Sequence, residues 1–105
     1  MAWVLIGVAA LLEVVWAVAL KQADGLTRLA PAVIGVVAAV TSLVLLTAAL
    51  RSLPVGTAYA VWTGLGALGV ALVGIVALGE STSILRVGCL AVIVAGVAGL
   101  RLVES

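Results

Sequence analysis

The fold is decided by residues 2–20, "AWVLIGVAALLEVVWAVAL", a run of apolar residues with a single charged side chain, Glu13. At ~1.5 Å per residue, a helix of this length covers about 28 Å, close to the roughly 30 Å hydrocarbon core of a bilayer. A carboxylate near the middle of such a run is costly and usually marks an ion or proton path. The run therefore predicts a membrane-spanning helix that carries a functional acid.

The composition of the whole chain supports a membrane protein. Its 105 residues are 67% hydrophobic and only 9% charged, whereas a soluble domain carries about 25% charged residues. The net charge of +1, with no basic block, argues against a nucleic-acid partner. The chain has no histidine and one cysteine, so we expect no metal site, no cofactor and no catalytic centre.

Three further apolar runs follow the first, separated by the polar segments "KQADGLTR" (21–28), "RSLP" (51–54) and "ESTS" (80–83). The runs are continuously apolar and do not alternate, so helices are the spanning structure that fits them. We expect an all-α membrane protein with four transmembrane helices per chain. They form one domain, 1–105, with spans at 2–20, 29–50, 53–79 and 84–103.

The basic residues are nearly balanced across the membrane. Four spans place both termini on one side, together with Arg51 and Arg101, and place Lys21, Arg28 and Arg86 on the other. Because the Lys/Arg bias sets orientation, a difference of one residue predicts insertion in both directions. A fixed orientation set by this weak bias is the alternative.

The chain lacks an internal repeat, since Glu13 has no acidic counterpart in the third or fourth span. Secondary transporters commonly hold their site between inverted repeats near the midplane. Two separate chains can supply that symmetry. We therefore expect an antiparallel homodimer in which two Glu13 side chains meet.

Four polar or aromatic side chains inside the spans are candidates for a site around Glu13. Trp16 follows it by three residues, on the same helical face, where its indole N–H can donate to the carboxylate; a lipid-facing Trp16 is the alternative. Ser42 either serves the site or bonds its own helix four residues back. Tyr59 and Trp62 share one face of the third span and suit a small cation, or simply pack in the core. The alternative for Glu13 is a protonated side chain whose hydrogen bonds only hold the helices together.

Small residues mark two further features. In the third span, Gly64 and Gly66 permit either a bend or close packing of a neighbouring helix. In the fourth span, small residues recur at intervals of three and four, a pattern typical of a helix–helix interface and therefore of the dimer contact. This small-residue ladder consists of Gly88, Ala91, Ala95 and Gly99.

The segments "LEVVWAVALK" (12–21), "GLTRL" (25–29) and "LPVGTAYAVWTGLGALG" (53–69) resemble the small multidrug resistance family of bacterial transporters, over essentially the whole chain. Trp16 after Glu13, with "GTAYAVWTG" (56–64), is similar to the guanidinium-exporter subtype. The resemblance implies an antiparallel, dual-topology homodimer in the bacterial inner membrane that exchanges protons for guanidinium or small substituted guanidinium ions. Glu13 of both subunits would bind protons or substrate in competition.

By position, the resemblance implies that Trp16 and Ser42 orient Glu13, and that Tyr59 and Trp62 line the pocket. One alternative is a multidrug exporter of quaternary ammonium or lipophilic cations, which Trp16 disfavours because it fills space beside the carboxylate. A second alternative, from another class, is a non-transporting membrane scaffold or accessory subunit.

Overall fold

The computed structural model describes residues 1–104 and contains four α-helices, each long and apolar enough to cross a membrane. No strand is present in residues 1–104. The expected all-α, four-helix class is therefore confirmed. The helices are α1 (Ala2–Gln22), α2 (Leu29–Ala49), α3 (Val55–Ala77) and α4 (Ile84–Glu104).

The ends of α3 differ from the span expected at 53–79. Pro54 precedes the helix with an extended backbone, ψ 144°, so α3 begins only after it. At the other end Gly79 has a φ of +68°, a conformation that glycine adopts without steric cost. This turn brings the amide of Glu80 back to the carbonyl of Gly74, at 3.0 Å, and so ends the helix.

The loop between α3 and α4 is closed by an ion pair. The Arg86 guanidinium lies 2.6 Å from the Glu80 carboxylate and also donates to the Ser81 carbonyl at 3.0 Å. The Glu80 carboxylate lies directly against Gly74, where an added Cβ would overlap it. Arg86 and Glu80 therefore hold the start of α4 close to the end of α3.

The helices form a flat layer, 41 × 35 × 16 Å in its principal extents. Helix α1 packs against α2 and α3, and α4 packs along α3. The Arg101 side chain adds one contact across the layer, with its guanidinium carbon 4.8 Å from the centre of the Trp3 ring. The buried core lies among α1, α2 and α3 and consists of Ile6, Ala9, Ala10, Leu46, Ala49, Ala58, Val61 and Trp62.

Helix α4 contributes no buried residue to that core, although Val97 and Leu100 pack against it from outside. Between Ile84 and Val103 no residue is buried within the chain, although the segment is apolar enough to span a membrane. An apolar helix with one packed side faces either lipid or another protein. Helix α4 is therefore the element of the described chain most available for association.

Candidate functional site

Helix α1 places the Glu13 side chain directly against α3. Its carboxylate lies on Gly66 so closely that a Cβ built there would overlap the carboxyl carbon and both oxygens. Gly66 is buried, and Glu13 is only partly accessible. The backbone of α3 thus forms one wall of the site, and the absence of a side chain at residue 66 makes room for the acid.

Two polar atoms in this site have no hydrogen-bond partner. Glu13 Oε1, an acceptor, and Trp16 Nε1, a donor, are both buried and unpaired. The hydrogen bond expected from Trp16 to Glu13 is therefore not formed in this structure. Because a buried unsatisfied polar group costs about 1–3 kcal/mol, this arrangement favours a ligand or proton that can satisfy it. Trp16 itself is partly buried and packs against the buried core.

Ser42 joins three helices. Its hydroxyl, which is fully buried, donates to the Ala9 carbonyl of α1 at 2.7 Å. It also accepts the indole N–H of Trp62 from α3 at 3.0 Å. Ala9 lies four residues before Glu13, so its carbonyl stands one helical turn from the acid. Ser42 therefore contacts the backbone of α1 near Glu13 and forms no hydrogen bond with the Glu13 carboxylate itself.

Neither interpretation of Ser42 from the sequence named its partner. The own-helix bond, four residues back, is made by its neighbour Thr41, whose hydroxyl donates to the Val37 carbonyl at 2.8 Å. Ser42 points the other way, towards α1 and α3. A one-residue step turns a helical side chain by about 100°, which separates the two hydroxyls.

Tyr59 packs against Trp62. The two rings meet edge to face, with centroids 5.4 Å apart and planes at 68°. Trp62 is buried, whereas Tyr59 is 56% exposed within the chain. Trp62 thus belongs to the core and to the Ser42 junction at once, while Tyr59 extends the aromatic surface outwards from it.

The two glycines proposed for a bend in α3 both lie where neighbouring side chains approach. Gly66 meets Glu13, and a Cβ at Gly64 would lie 2.8 Å from a methyl group of Val97 in α4. Helix α3 runs without interruption through both. Close packing accounts for both glycines in this structure, and a bend stays a prediction.

The small-residue ladder of α4 has no partner helix within the described chain. Gly88, Ala91 and Ala95 are exposed and Gly99 is partly exposed. A Cβ added at Gly88 or Gly99 would meet no atom within 4 Å. The ladder therefore presents a smooth surface outside the fold of a single chain.

The sequence did not reveal the contact partners of two backbone positions at the site, Ala9 and Gly69. The Ala9 carbonyl is an acceptor that every residue carries, so nothing in the residue type marks it. Gly69, one turn after Gly66, leaves room for Val14 in the same way that Gly66 leaves room for Glu13. The spacing of these two glycines opposite two consecutive residues of α1 was the available signal.

Comparison with known proteins gives consistent matches along the chain. The family model described as Small Multidrug Resistance protein matches residues 1–93. A guanidinium exporter of Escherichia coli O6:H1 is 58% identical over 102 residues, which cover 97% of each chain. Guanidinium exporters of Yersinia pestis and Citrobacter freundii are each 54% identical over 102 residues, covering 97% of this chain and 98% and 97% of theirs.

These matches agree with the structure. Four membrane-spanning helices and the family match make the chain a multi-pass protein of the bacterial inner membrane. The single acid inside the spans lies at the contact between α1 and α3, in the sequence segments that carried the resemblance. The chain belongs to the Small Multidrug Resistance protein family.

Proposed function

We propose that this protein exports guanidinium ion in exchange for protons, and that Glu13 binds either one. The observation that carries the proposal is the buried, unpaired Oε1 of Glu13 beside the unpaired Nε1 of Trp16. It occurs in a chain 54–58% identical to proteins named guanidinium exporters. An acceptor that is buried inside a membrane span is suited to a cation that brings its own hydrogen-bond donors.

Guanidinium matches this carboxylate in shape as well as in charge. The ion is planar, and its N–H groups form a fork that a carboxylate accepts in a bidentate pair. A quaternary ammonium ion has no N–H and would leave the acceptor unsatisfied. Trp16 follows Glu13 by three residues on the same helical face, and a ring at that place favours a small flat cation over a bulky one.

Competition for one carboxylate is sufficient for exchange. A proton and a guanidinium ion each neutralise Glu13, so binding of one disfavours binding of the other. An empty, charged site is costly to carry through the membrane, which discourages switching without a ligand. An inward proton gradient would then drive export of the cation.

A second, inverted copy of the chain completes the proposed transporter. Helix α4 is unburied in the single chain, and its ladder of small residues lies on the open surface. The nearly balanced basic residues permit both orientations, and the chain has no internal repeat. An antiparallel homodimer joined through α4 would bring together two Glu13 side chains, with Ser42, Tyr59 and Trp62 behind them.

Transport in proteoliposomes tests the proposal. With an imposed pH gradient, we expect uptake of guanidinium and little uptake of tetramethylammonium or tetrapropylammonium. Glu13→Gln removes the exchangeable charge and should abolish proton-coupled transport. Glu80→Gln, a matched control outside the spans, should leave transport intact, because Glu80 is paired with Arg86 in a loop.

Each of the other outcomes would point to a different function or assembly for this protein. Transport of the quaternary cations alone would indicate a multidrug exporter. Equal behaviour of wild type and Glu13→Gln, with no cation moved by either, would indicate a scaffold or accessory subunit. Cross-linking that captured only parallel dimers would refute the antiparallel assembly while leaving the role of Glu13 to be judged from transport.

A further inference from the structure

A long apolar groove lies between the second half of α1 and the first half of α2. It has a volume of about 580 Å³ and opens to the outside of the described chain. Its walls are aliphatic, and only its end near the α1–α2 loop is polar. The residues that shape it are Val14, Val15, Val18 and Ala19 of α1, Ala30 and Ile34 of α2, Val73 of α3, and Arg28 at the polar end.

The groove is separate from the proposed transport site. Helical residues advance by about 100° each, so Val15 and Gln22 point about 200° and 180° away from Glu13 around α1. Glu13 faces Gly66 and does not line the groove, although its neighbour Val14 does. A ligand in the groove would not compete with a cation at Glu13.

Arg28 fixes the chemistry at the mouth of the groove. It is the residue preceding α2, at the end of the α1–α2 loop, and its guanidinium donates to the Gln22 carbonyl at 3.3 Å. That bond holds the cation over the polar end of the groove. Among the described residues no carboxylate forms an ion pair with Arg28: Asp24, in the same loop, does not pair with it, and Glu80 is paired with Arg86.

We propose that the groove binds one anionic glycerophospholipid, with its phosphate at Arg28 and an acyl chain along α1 and α2. From residue 14 to residue 22 the groove runs about 12 Å along α1, a length suited to the upper part of an acyl chain. An aliphatic channel that ends in a guanidinium at headgroup level is complementary to such a lipid in both polarity and charge. The amides at the start of α2 lie at the same end and favour the same anion.

Native mass spectrometry of the purified protein tests this assignment. Phosphatidylglycerol and phosphatidylcholine with identical acyl chains are added in equal amounts, and the retained lipid is counted. We expect phosphatidylglycerol to be retained about fivefold more, and Arg28→Gln to remove that preference. Arg51→Gln is the matched control, because Arg51 is also exposed but lies at the opposite face of the membrane, outside the groove.

The acyl part of the site is tested by a second variant. Ala30→Leu narrows the groove without touching Arg28 and should lower retention of both lipids. Equal loss of preference in Arg28→Gln and Arg51→Gln would show only general attraction of charge and would overturn the proposal. So would dissociation of an oligomer by Ala30→Leu with lipid retention unchanged, since a second copy of the chain would then cover the groove.

Discussion

Substitution of Gly66 by alanine is the most direct test of how α3 positions Glu13. The added Cβ would overlap the carboxyl carbon and both carboxylate oxygens. The overlapping group is the tip of a flexible side chain and not a backbone atom. Glu13 can therefore move aside by rotation about its own bonds, and the chain should still fold.

The size of the effect follows from the distance that the carboxylate must move. Ordinary contacts between carbon atoms lie at about 3.5–4.0 Å, so the carboxyl group must shift by at least about 1 Å. A misplacement of ~1 Å in a positioned group can cost about 100-fold in rate. The helix itself gains about 0.5–1 kcal/mol when alanine replaces glycine. We therefore expect transport to fall by one to two orders of magnitude, at about 10–100-fold, without loss of folded protein.

The assay is guanidinium uptake by proteoliposomes, with folding followed by thermal unfolding in detergent. Gly56→Ala is the matched control, because Gly56 lies in the same helix and an added Cβ there meets no atom within 4 Å. Gly56→Ala should transport like the wild type. If Gly66→Ala did so as well, with unchanged KM and turnover, Glu13 would not depend on its contact with α3 and the reasoning would be refuted.

Two further substitutions address the contacts that hold the helices together. Ser42→Ala leaves the buried Trp62 N–H without its acceptor and should lower the free energy of unfolding by about 1–2 kcal/mol in mixed SDS–detergent micelles. The control Thr41→Ala loses only a hydrogen bond within its own helix and should change the free energy of unfolding very little. Glu80→Gln breaks the ion pair with Arg86 and should cost less than about 1 kcal/mol in the same measurement, because both side chains are partly exposed; a larger loss would show that the α3–α4 loop controls folding.

The number and type of helices were accessible from the sequence because long apolar runs leave the backbone no other way to cross a bilayer. Helix ends were less accessible. From the sequence, α3 could begin before or after Pro54. The structure shows an extended backbone at Pro54, so the first helical residue is Val55. Glycine is common just after the end of a helix, and Gly79 has the positive φ typical of that position. The last helical residue is therefore Ala77, two positions before the predicted end of the span.

Contacts between helices were much harder to predict. The sequence identified Glu13 and Ser42 by their rarity in an apolar chain, but could not choose their partners. Ser42 bonds the Ala9 carbonyl because that carbonyl lies within 2.7 Å, a matter of interhelical distance and not of residue type. Gly66 was interpreted as permitting either a bend or close packing of a neighbouring helix, and in the structure its lack of a side chain admits the Glu13 carboxylate.

The Ser42 junction has a mechanical consequence. One hydroxyl, sealed from water, bonds α1 on one side and α3 on the other, so neither helix can slide past α2 without breaking a hydrogen bond that nothing nearby can replace. Ser42 therefore couples the positions of α1, α2 and α3. Helix α4 has no such link and is attached through α3, its loop and the Arg101–Trp3 contact. In the proposed transporter, we therefore expect α1, α2 and α3 to move together and α4 to be the helix that can shift relative to them.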